Sequence, residues 1–407
     1  MTTARISTTP IQVSDRINRF SYAIRNIVAE AKRVEAQGTR VRYLNIGDPV
    51  AFGFQTPGHL VAAVERALRD GHNGYGPSAG IPAAREAVAD ELTSRGFPMS
   101  TDRVFITAGT SEAIDLALSA IVDDEGDVLV PVPTYPLYTA VLAKLGARAR
   151  FYRTDPADGW APDLDHVNSL VTPATRALVV IDPNNPTGAS YSTAIRRGLL
   201  DLADRHGLVI LADEVYADLC YDGPVEPLGF LDPDAAIISF SSLSKAYLAP
   251  GWRTGWMGIG RTPRLDDVRA AIGKLADGRL CSNVPMQYAV AEALRGDRSH
   301  QVSFRAALKE RAAITATSLS AIPGVSCVAP TAGFYAMPKV ALPPGRTDQD
   351  YVLALLRATG VLCVYGSGFN MPATEGFLRI VFLASPADLR EIYALVAQFT
   401  REYLDGV

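Results

Sequence analysis

The sequence predicts an α/β protein: a large domain with a mostly parallel sheet of seven strands, followed by a smaller α+β domain. From about residue 56 to residue 295, segments with helical periodicity alternate with short β-branched runs, an order typical of a parallel sheet covered by helices. Beyond residue 296 the pattern changes, because a long amphipathic segment leads into short strands separated by helices. A length of 407 residues, 48% of them apolar, allows two such domains.

The change of pattern also sets the expected domain boundaries. We assign residues 1–49 to an N-terminal segment that packs with the small domain, residues 50–295 to the large domain, and residues 296–407 to the small domain. The N-terminal segment contains a helical stretch at 24–37. In the large domain we expect strands that include 104–107, 128–130, 177–181, 208–211, 236–240 and 255–259, and helices from Thr56, Ser111, Tyr135 and Thr193. In the small domain we expect a helix at 303–322, strands near Val325, Gly333 and Phe377, and helices from Asp348 and Pro386.

The composition excludes several classes of function. Lys+Arg 39 and Asp+Glu 43 are interspersed and the formal net charge is -4, so no basic stripe is available for a nucleic acid. The cysteines are far apart and share no metal-ligand spacing with the histidines, so we expect no bound metal and a reducing compartment. The N-terminus lacks the apolar core of a secretory signal, and no stretch is apolar enough for a membrane span. We therefore expect a cytoplasmic protein without a membrane partner.

The serine-rich segment 241–245 carries the strongest chemical signal. Lys245 follows a predicted buried strand and lies among hydroxyl and apolar residues, where poor solvation favours the neutral, nucleophilic amine. A surface lysine in a serine-rich loop is the alternative interpretation. Arg253 favours the chemical one, because its guanidinium and the hydroxyls of Ser242 and Ser244 are suited to bind a phosphate dianion.

A second anion contact is predicted where a strand that ends at Thr107 meets the next helix. The backbone N–H groups and hydroxyls of Gly109, Thr110 and Ser111 face the N-terminus of that helix, where anions bind. The same residues are equally suited to cap the helix, and the sequence leaves both interpretations open.

Further candidate residues stand at predicted strand ends. Asp213 ends the apolar run 208–212 and Tyr216 follows it, so both point into the crevice at the carboxyl edge of the sheet. A buried carboxylate needs a cation there, and a protonated pyridine nitrogen is one; an Asp–Glu pair that merely ends a strand is the alternative. Asn185 lies in a turn and can also hydrogen-bond a phenolic oxygen. Tyr135 offers a flat ring, either for stacking on an aromatic cofactor or for the core.

In their order and separation these residues resemble the class I and II aminotransferases, which belong to the fold type I pyridoxal-phosphate enzymes. The marks are 185–188, 213–216 and Ser244–Lys245 with Arg253, and the likeness covers essentially the whole chain. The resemblance implies that Lys245 binds pyridoxal 5'-phosphate as a Schiff base and moves a proton between substrate and cofactor. It also implies that the cofactor ring is bound by Asp213, Asn185, Tyr216 and Tyr135. The cofactor phosphate is then bound by Gly109, Thr110, Ser111, Ser242, Ser244 and Arg253. A homodimer is implied as well, in which Tyr75 of one subunit binds the phosphate in the neighbouring subunit.

Within this family the sequence is most similar to the bacterial and archaeal alanine aminotransferases, through residues 22–25, 44–49, 279–285 and 366–370. The resemblance implies that Arg379 binds the α-carboxylate of the substrate and that Asn185 and the backbone of Gly47 approach the substrate. Tyr22 and Arg25 are expected to close over it, with Arg25 binding a distal carboxylate. The expected reaction is a ping-pong transfer of the amino group of an L-amino acid, alanine first, to a 2-oxo acid, 2-oxoglutarate.

Two segments depart from that subfamily and leave the amino donor open. They are 246–250, where a proline precedes Gly251, and 332–335, where an extra small residue precedes the aromatic pair. Aspartate, an aromatic amino acid or a secondary-metabolite intermediate is the alternative substrate of an aminotransferase. A C–S β-lyase, which releases ammonia without a 2-oxo acid acceptor, is the alternative reaction. An effector-sensing domain of a transcription regulator requires a preceding DNA-binding domain, for which residues 1–45 are too short.

Overall fold

The computed structural model describes residues 10–16 and 27–405 of the chain. Its helices are, in order, α1 Val28–Ala36, α2 Gly58–Arg69, α3 Pro82–Ser94, α4 Thr110–Ile121, α5 Pro136–Leu145, α6 Leu164–Ser169, α7 Thr193–Arg205, α8 Asp266–Gly278, α9 Val284–Arg295, α10 Ser299–Ser320, α11 Asp348–Thr359 and α12 Pro386–Asp405. Its strands are β1 Arg42–Tyr43, β2 Val104–Thr107, β3 Asp127–Val132, β4 Arg148–Asp155, β5 Ala161–Pro162, β6 Thr175–Ile181, β7 Val209–Asp213, β8 Ile237–Ser242, β9 Gly255–Ile259, β10 Val325–Ser326, β11 Tyr335–Ala336, β12 Lys339–Val340, β13 Val361–Leu362, β14 Val364–Tyr365 and β15 Leu378–Val381. Among these residues no helix combines the length and the apolar character needed to cross a membrane.

The largest sheet has eight strands in the order β2-β9-β8-β7-β6-β3-β4-β5. The pairings of β3 with β4 and β6, of β6 with β7 and of β7 with β8 are parallel, whereas β9 and β5 run antiparallel to their neighbours. The mostly parallel α/β fold is thus confirmed, but the sheet has eight strands where the sequence predicts seven. The six segments named from the sequence correspond to β2, β3, β6, β7, β8 and β9. No named segment corresponds to β4, which carries Arg148, Arg150 and Arg153 in place of an apolar run, or to β5, which has only two residues.

The central strands are apolar on both faces because helices cover the sheet on both sides. In β6, Leu178 and Val180 belong to one buried cluster, to which α2, α3 and α9 contribute. Ala177, Val179 and Ile181 belong to the other cluster, to which α4, α5 and α8 contribute. Each fully buried aliphatic side chain stabilises the fold by about 1.5–3 kcal/mol relative to an exposed one. The sheet is therefore a firm support for the loops at its edges.

The helices and small strands begin close to the predicted positions. Helix α7 begins at the predicted residue, and α4 and α5 begin within one residue of the predicted start. Helix α2 begins at Gly58 rather than Thr56, because Pro57 has a ψ of 134°, which is outside the helical region. Helix α10 begins and ends earlier than the predicted 303–322, and β11 begins at Tyr335 rather than near Gly333.

The N-terminal segment contacts the C-terminal part of the chain. Strand β1 pairs in parallel with β13, and Arg357 of α11 donates a 2.8 Å hydrogen bond to Glu30 of α1. The remaining small sheets, β10 with β12 and β15 between β11 and β14, are antiparallel. Of the predicted helical stretch 24–37, α1 is the described part, and residues 24–26 lie outside the described residues.

The loops that follow β2, β3, β6, β7 and β8 all leave the same edge of the large sheet. These five strands run in one direction, because β2 and β8 are both antiparallel to β9 and the others are linked by parallel pairings. At the end of β7, Asp213 is opposite Ile181 of β6 and Phe240 of β8. Ligands of open α/β sheets bind outside the carboxyl ends of the strands, so this edge is where a site is expected.

Candidate active site

A cavity of about 750 Å³ lies at this carboxyl edge. Most of the side chains singled out in the sequence line it: Gly47, Thr110, Ser111, Tyr135, Asn185, Asp213, Tyr216, Ser242, Ser244, Lys245, Arg253 and Arg379. Tyr75 is not part of this lining and is 85% exposed. Tyr22 and Arg25 lie outside the described residues. The structure thus brings the predicted cofactor and carboxylate residues into one cavity, except for Tyr75, Tyr22, Arg25 and Gly109. Gly109 lies beside Arg253, which lines the cavity.

The amine of Lys245 is held between a carbonyl and two aromatic rings. Its Nζ donates a 3.0 Å hydrogen bond to the carbonyl oxygen of Gly47. The same atom lies 5.9 Å from the ring centre of Tyr216 and 5.5 Å from that of Phe334. Only glycine fits at position 47, because a Cβ there would lie 2.1 Å from the Tyr335 hydroxyl. The carbonyl of Gly47 can therefore come close enough to orient the amine.

Asp213 presents a carboxylate oxygen that needs a cation. The residue is 4% exposed, and its Oδ2 accepts a 3.1 Å hydrogen bond from the hydroxyl of Tyr138. Its Oδ1 has no hydrogen-bond partner among the described residues. Burial raises the pKa of Asp213 to about 6, although the Tyr138 hydrogen bond opposes that rise. A buried cation facing Oδ1 would relieve this cost, which is how a protonated ring nitrogen would interact with Asp213.

An anion site is formed where Arg253 meets the N-terminus of α4. The guanidinium donates to the carbonyl oxygens of Pro250 at 3.1 Å and Ala108 at 3.3 Å. Gly109 is the N-cap of α4 with a φ of 79°, and a Cβ there would lie 2.4 Å from Nη2 of Arg253. Two positive groups, a guanidinium and a helix N-terminus, therefore share one place, which favours an anion between them.

The capping interpretation of 109–111 holds for the backbone of Gly109 but not for the side chains of Thr110 and Ser111. Gly109 is the capping residue and no side chain caps the helix, while the Thr110 hydroxyl donates to the carbonyl of Ser241 at 3.4 Å. Ser242 and Ser244 are both buried beside this segment, and the backbone N–H of Ser244 donates to the Ser242 hydroxyl at 3.3 Å. These threonine and serine residues therefore line the cavity, and none of their hydroxyl groups caps the N-terminus of α4.

Arg379 on β15 forms a buried guanidinium fork on the cavity wall. It is 2% exposed, and it donates to the carbonyl of Asn45 at 2.5 Å and to Oδ1 of Asn185 at 3.3 Å. Its guanidinium carbon lies 4.9 Å from the ring centre of Tyr335 and 4.7 Å from that of Phe369. Asn185, which the resemblance assigns to a ring hydroxyl, thus also touches Arg379. A guanidinium held in this way is suited to a bidentate contact with a carboxylate.

Five residues with contacts at the site were not among the candidate site residues from the sequence. They are Asn45, Tyr138, Phe334, Tyr335 and Phe369. Tyr138 carries the clearest sequence signal, because it follows Tyr135 by one helical turn and helical spacing places such residues on one face. The contacts of the others join distant parts of the chain. Both segments that depart from the alanine subfamily reach the cavity, through Pro250 and Tyr335.

Comparisons with known proteins agree with this arrangement. The family model for aminotransferase class I and II matches residues 39–395. The alanine aminotransferase of Mycobacterium tuberculosis (strain H37Rv) is 40% identical over 400 residues, which are 96% of this chain and 92% of that protein. The glutamate-pyruvate aminotransferase AlaA of Escherichia coli (strain K12) is 36% identical over 402 residues, which are 97% of this chain and 99% of that protein. The solved structure of an alanine aminotransferase from Pyrococcus furiosus matches with a TM-score of 0.93 at 37% identity, covering 96% of this chain and 100% of that one.

The family model covers most of the chain, and these relatives match nearly their whole length. The fold of this chain, which contains the large mixed sheet, also matches the fold of the solved aminotransferase. The sequence resemblance is thereby confirmed at the level of family and fold. The chain belongs to the class I and II aminotransferases of fold type I, a family of pyridoxal-phosphate-dependent enzymes, and is itself an aminotransferase.

Proposed function

We propose that this aminotransferase binds pyridoxal 5'-phosphate at Lys245 and transfers the amino group of L-alanine to 2-oxoglutarate in two half-reactions. The observation that carries the proposal is the meeting of three groups in one cavity: the amine of Lys245, the unpaired Oδ1 of Asp213, and the anion site at Arg253. The choice of alanine is supported by the names of the relatives from Mycobacterium tuberculosis and Pyrococcus furiosus.

The residues present fit the cofactor. When bound, pyridoxal phosphate supplies an aldehyde that condenses with amines and a ring that withdraws electrons from the bonds of the substrate. Asp213 offers its unpaired oxygen to the ring nitrogen, and Tyr135 offers its ring for stacking. We assign the ring hydroxyl to Asn185 and Tyr216, and the phosphate to Gly109, Thr110, Ser111, Ser242, Ser244 and Arg253.

Lys245 is the proposed base of the reaction. The carbonyl of Gly47 fixes the position of Nζ, and the rings of Tyr216 and Phe334 lie beside it. In this position Nζ can take a proton from the substrate Cα and return it on the cofactor side. The Tyr216 hydroxyl lies 3.0 Å from that of Tyr335, which holds the Tyr216 ring in place. Burial raises the pKa of Tyr216, so its hydroxyl stays protonated and remains a hydrogen-bond donor.

The substrate is proposed to bind with its α-carboxylate on Arg379. Val28, Ile46 and Leu137 are apolar members of the cavity lining, and they suit a small side chain such as the methyl group of alanine. The distal carboxylate of 2-oxoglutarate is assigned to Arg25, with Tyr22 beside it, and both lie outside the described residues. This assignment rests on the resemblance alone.

The first prediction tests the reaction and the donor together. The purified protein with pyridoxal phosphate is expected to absorb between about 300 and 500 nm in a band that L-alanine bleaches and 2-oxoglutarate restores. If another amino acid bleaches the band and alanine does not, the alanine assignment is wrong. If an amino acid yields ammonia and a 2-oxo acid with no acceptor present, the protein is a lyase. If no band forms with added cofactor, the cofactor proposal is wrong.

The proposal extends to a homodimer with shared active sites. The Tyr75 side chain is 85% exposed, although its segment is fixed by a 2.5 Å hydrogen bond from the Ser78 hydroxyl to Asp277 of α8. Leu275 and Leu280, on either side of Asp277 in the chain, are also exposed apolar residues. A large aromatic side chain fixed in an exposed position is suited to reach a second subunit, where we assign its hydroxyl to the phosphate.

The second prediction tests that exchange of side chains by complementation. Lys245→Ala and Tyr75→Ala subunits, each nearly inactive at low cofactor concentration, are co-expressed with different tags and the mixed dimer is purified. One of its two sites then combines an intact Lys245 with the intact Tyr75 of the other subunit, so about half of the wild-type activity is expected. A mixed dimer as inactive as its parents would mean that Tyr75 serves its own subunit, and a fully active Tyr75→Ala parent would mean that Tyr75 serves neither site.

We also infer the domain division and location expected from the sequence. The pairing of β1 with β13, and the contact of Glu30 with Arg357, support an N-terminal segment 1–49 that packs with a small domain 296–407 beside a large domain 50–295. The cysteines of the described residues are free thiols, which supports a reducing cytoplasm.

A further inference from the structure

The guanidinium of Arg379 is enclosed by two aromatic side chains from different parts of the fold. Tyr335 lies on β11 and lines the cavity, whereas Phe369 is completely buried in the turn Gly366–Phe369. Both ring centres are within 5 Å of the guanidinium carbon, at 4.9 Å and 4.7 Å. Such contacts attract the cation and restrict how its plane can tilt. The orientation of the fork thus depends on where Phe369 is held.

The turn that carries Phe369 is tied down by a buried carboxylate. Asp348, the first residue of α11, is fully buried and accepts hydrogen bonds from the backbone N–H of Ser367 at 2.5 Å and from the Ser367 hydroxyl at 3.0 Å. A third hydrogen bond comes from the N–H of Gln349 at 2.7 Å. A buried carboxylate is stable only with such donors, so Asp348 fixes the turn and the turn satisfies Asp348.

The same turn is also joined to the loop that carries Tyr135. The carbonyl oxygen of Phe369 accepts a 3.1 Å hydrogen bond from the backbone N–H of Thr134, the residue before Tyr135. The ring of Phe369 therefore contacts the guanidinium of Arg379, and its carbonyl oxygen contacts the loop that presents the ring of Tyr135 to the cavity. The turn is thus placed to fix the fork and the ring relative to each other.

From these contacts we infer that Phe369, held by the Asp348–Ser367 hydrogen bonds, is a positioning residue that sets the plane of Arg379 and so the preference of the enzyme for amines that carry an α-carboxylate. The inference rests on the proposed function, because it takes Arg379 as the carboxylate-binding group. Its consequence is specific: loss of the Phe369 ring weakens the binding of carboxylates and leaves the reaction of an amine without a carboxylate unchanged.

Phe369→Met keeps an apolar side chain of similar size and removes the aromatic face. The protein is loaded with pyridoxal phosphate, and calorimetry measures its Kd for propionate, which has the carboxylate of alanine but no amine. Bleaching of the visible band measures its reaction with L-alanine and with ethylamine. We expect the propionate Kd to rise and the L-alanine rate to fall, each about tenfold, while the ethylamine rate stays the same. Asp348→Ala, which frees the turn but leaves the ring in place, is expected to change the same two quantities in the same direction.

Each variant has a matched control in the same part of the fold. Phe377→Met makes the same substitution in the same apolar cluster, at a ring that packs on Trp160 and Lys339. Asp350→Ala removes a carboxylate from the same helix turn, where it caps α11 with Thr347. Both controls are expected to keep the ratio of L-alanine to ethylamine rates.

The outcomes separate the inference from the proposed function. An unchanged propionate Kd in folded Phe369→Met protein, or a fall of the L-alanine and ethylamine rates by the same factor, overturns the inference. If Phe369→Met does not fold, the same two criteria applied to Asp348→Ala decide. If no amino acid bleaches the band of the unaltered protein, the proposed function fails instead, and the propionate Kd of the two variants still tests the positioning of Arg379.

Discussion

Replacing Lys245 by alanine is expected to remove the visible absorbance band of bound cofactor and to lower kcat for transamination by about 10⁴-fold. The reason is that one atom has two proposed tasks: Nζ attaches the cofactor, and it carries the proton to and from the substrate Cα. The hydrogen bond to Gly47 and the nearby rings of Tyr216 and Phe334 hold that atom in one place. Among the described residues that line the cavity, Lys245 is the only lysine. The measurement is the absorbance spectrum with added cofactor, followed by the rate with L-alanine and 2-oxoglutarate.

The matched control is Lys339→Ala. This lysine also lies over an aromatic ring, with its Nζ 5.0 Å from the ring centre of Phe377, but it is not part of the lining of the large cavity. Its replacement is expected to leave both the band and kcat unchanged. A Lys245→Ala protein that keeps the band and more than a small part of the activity would show that a different amine is the attachment point.

The sequence predicts most of the cavity because a strand end is a local feature. Apolar runs mark the strands, and the carboxyl ends of parallel strands meet at one edge, so Asp213 and Lys245 are expected near each other before any coordinates are known. Arg253 and the segment 109–111 follow from the same rule. The structure places all of these residues at one cavity except Gly109, which lies beside Arg253.

The parts that the sequence does not predict depend on contacts between distant segments. Phe369 and Arg379 meet because β14 and β15 pair, and Asn45 reaches Arg379 because β1 is attached to β13. No local pattern encodes such neighbours. The strand β4 is not predicted for a different reason. Arg148 and Arg150 bind the buried Asp127 of β3, and they stand where an apolar run would otherwise identify a strand.

Replacing Asp213 by asparagine is expected to weaken cofactor retention and to lower kcat/KM, each by about 10²–10³-fold. The substitution keeps the shape and the oxygen that accepts from Tyr138, but it removes the negative charge that we assign to the ring nitrogen of the cofactor. Loss of one partner of a buried ion pair costs about 3–5 kcal/mol, and the lower part of that range corresponds to a change of about 10²–10³-fold. The Kd for pyridoxal phosphate is measured by titration of the visible band. Tyr138→Phe, which keeps the charge and removes only the hydrogen bond, is expected to have a clearly smaller effect.

The same variant is expected to have the opposite effect on the stability of the protein without cofactor. Burial raises the pKa of Asp213 to about 6 from its ordinary value of 3.8. The folded state therefore favours the neutral acid, so the contribution of Asp213 to stability is complete below the unfolded pKa and is lost as the pH rises through the folded pKa. Asparagine does not titrate. Between about pH 4.5 and pH 7.5, the free energy of unfolding of the parent protein should thus fall by about 2 kcal/mol relative to the Asp213→Asn variant.

The Asp213→Asn variant buries an amide at a free-energy cost that is the same at every pH. Comparing the variant with the parent protein at two pH values therefore cancels this cost. The measurement is denaturant unfolding of cofactor-free protein at each pH, repeated with saturating pyridoxal phosphate. With cofactor bound, the pH-dependent disadvantage of the parent should disappear, because the ring nitrogen supplies the cation that the carboxylate lacks. A stability difference that does not change with pH in the cofactor-free proteins would mean that Asp213 is already paired in the empty cavity, and its assignment to the ring nitrogen would lose its physical basis.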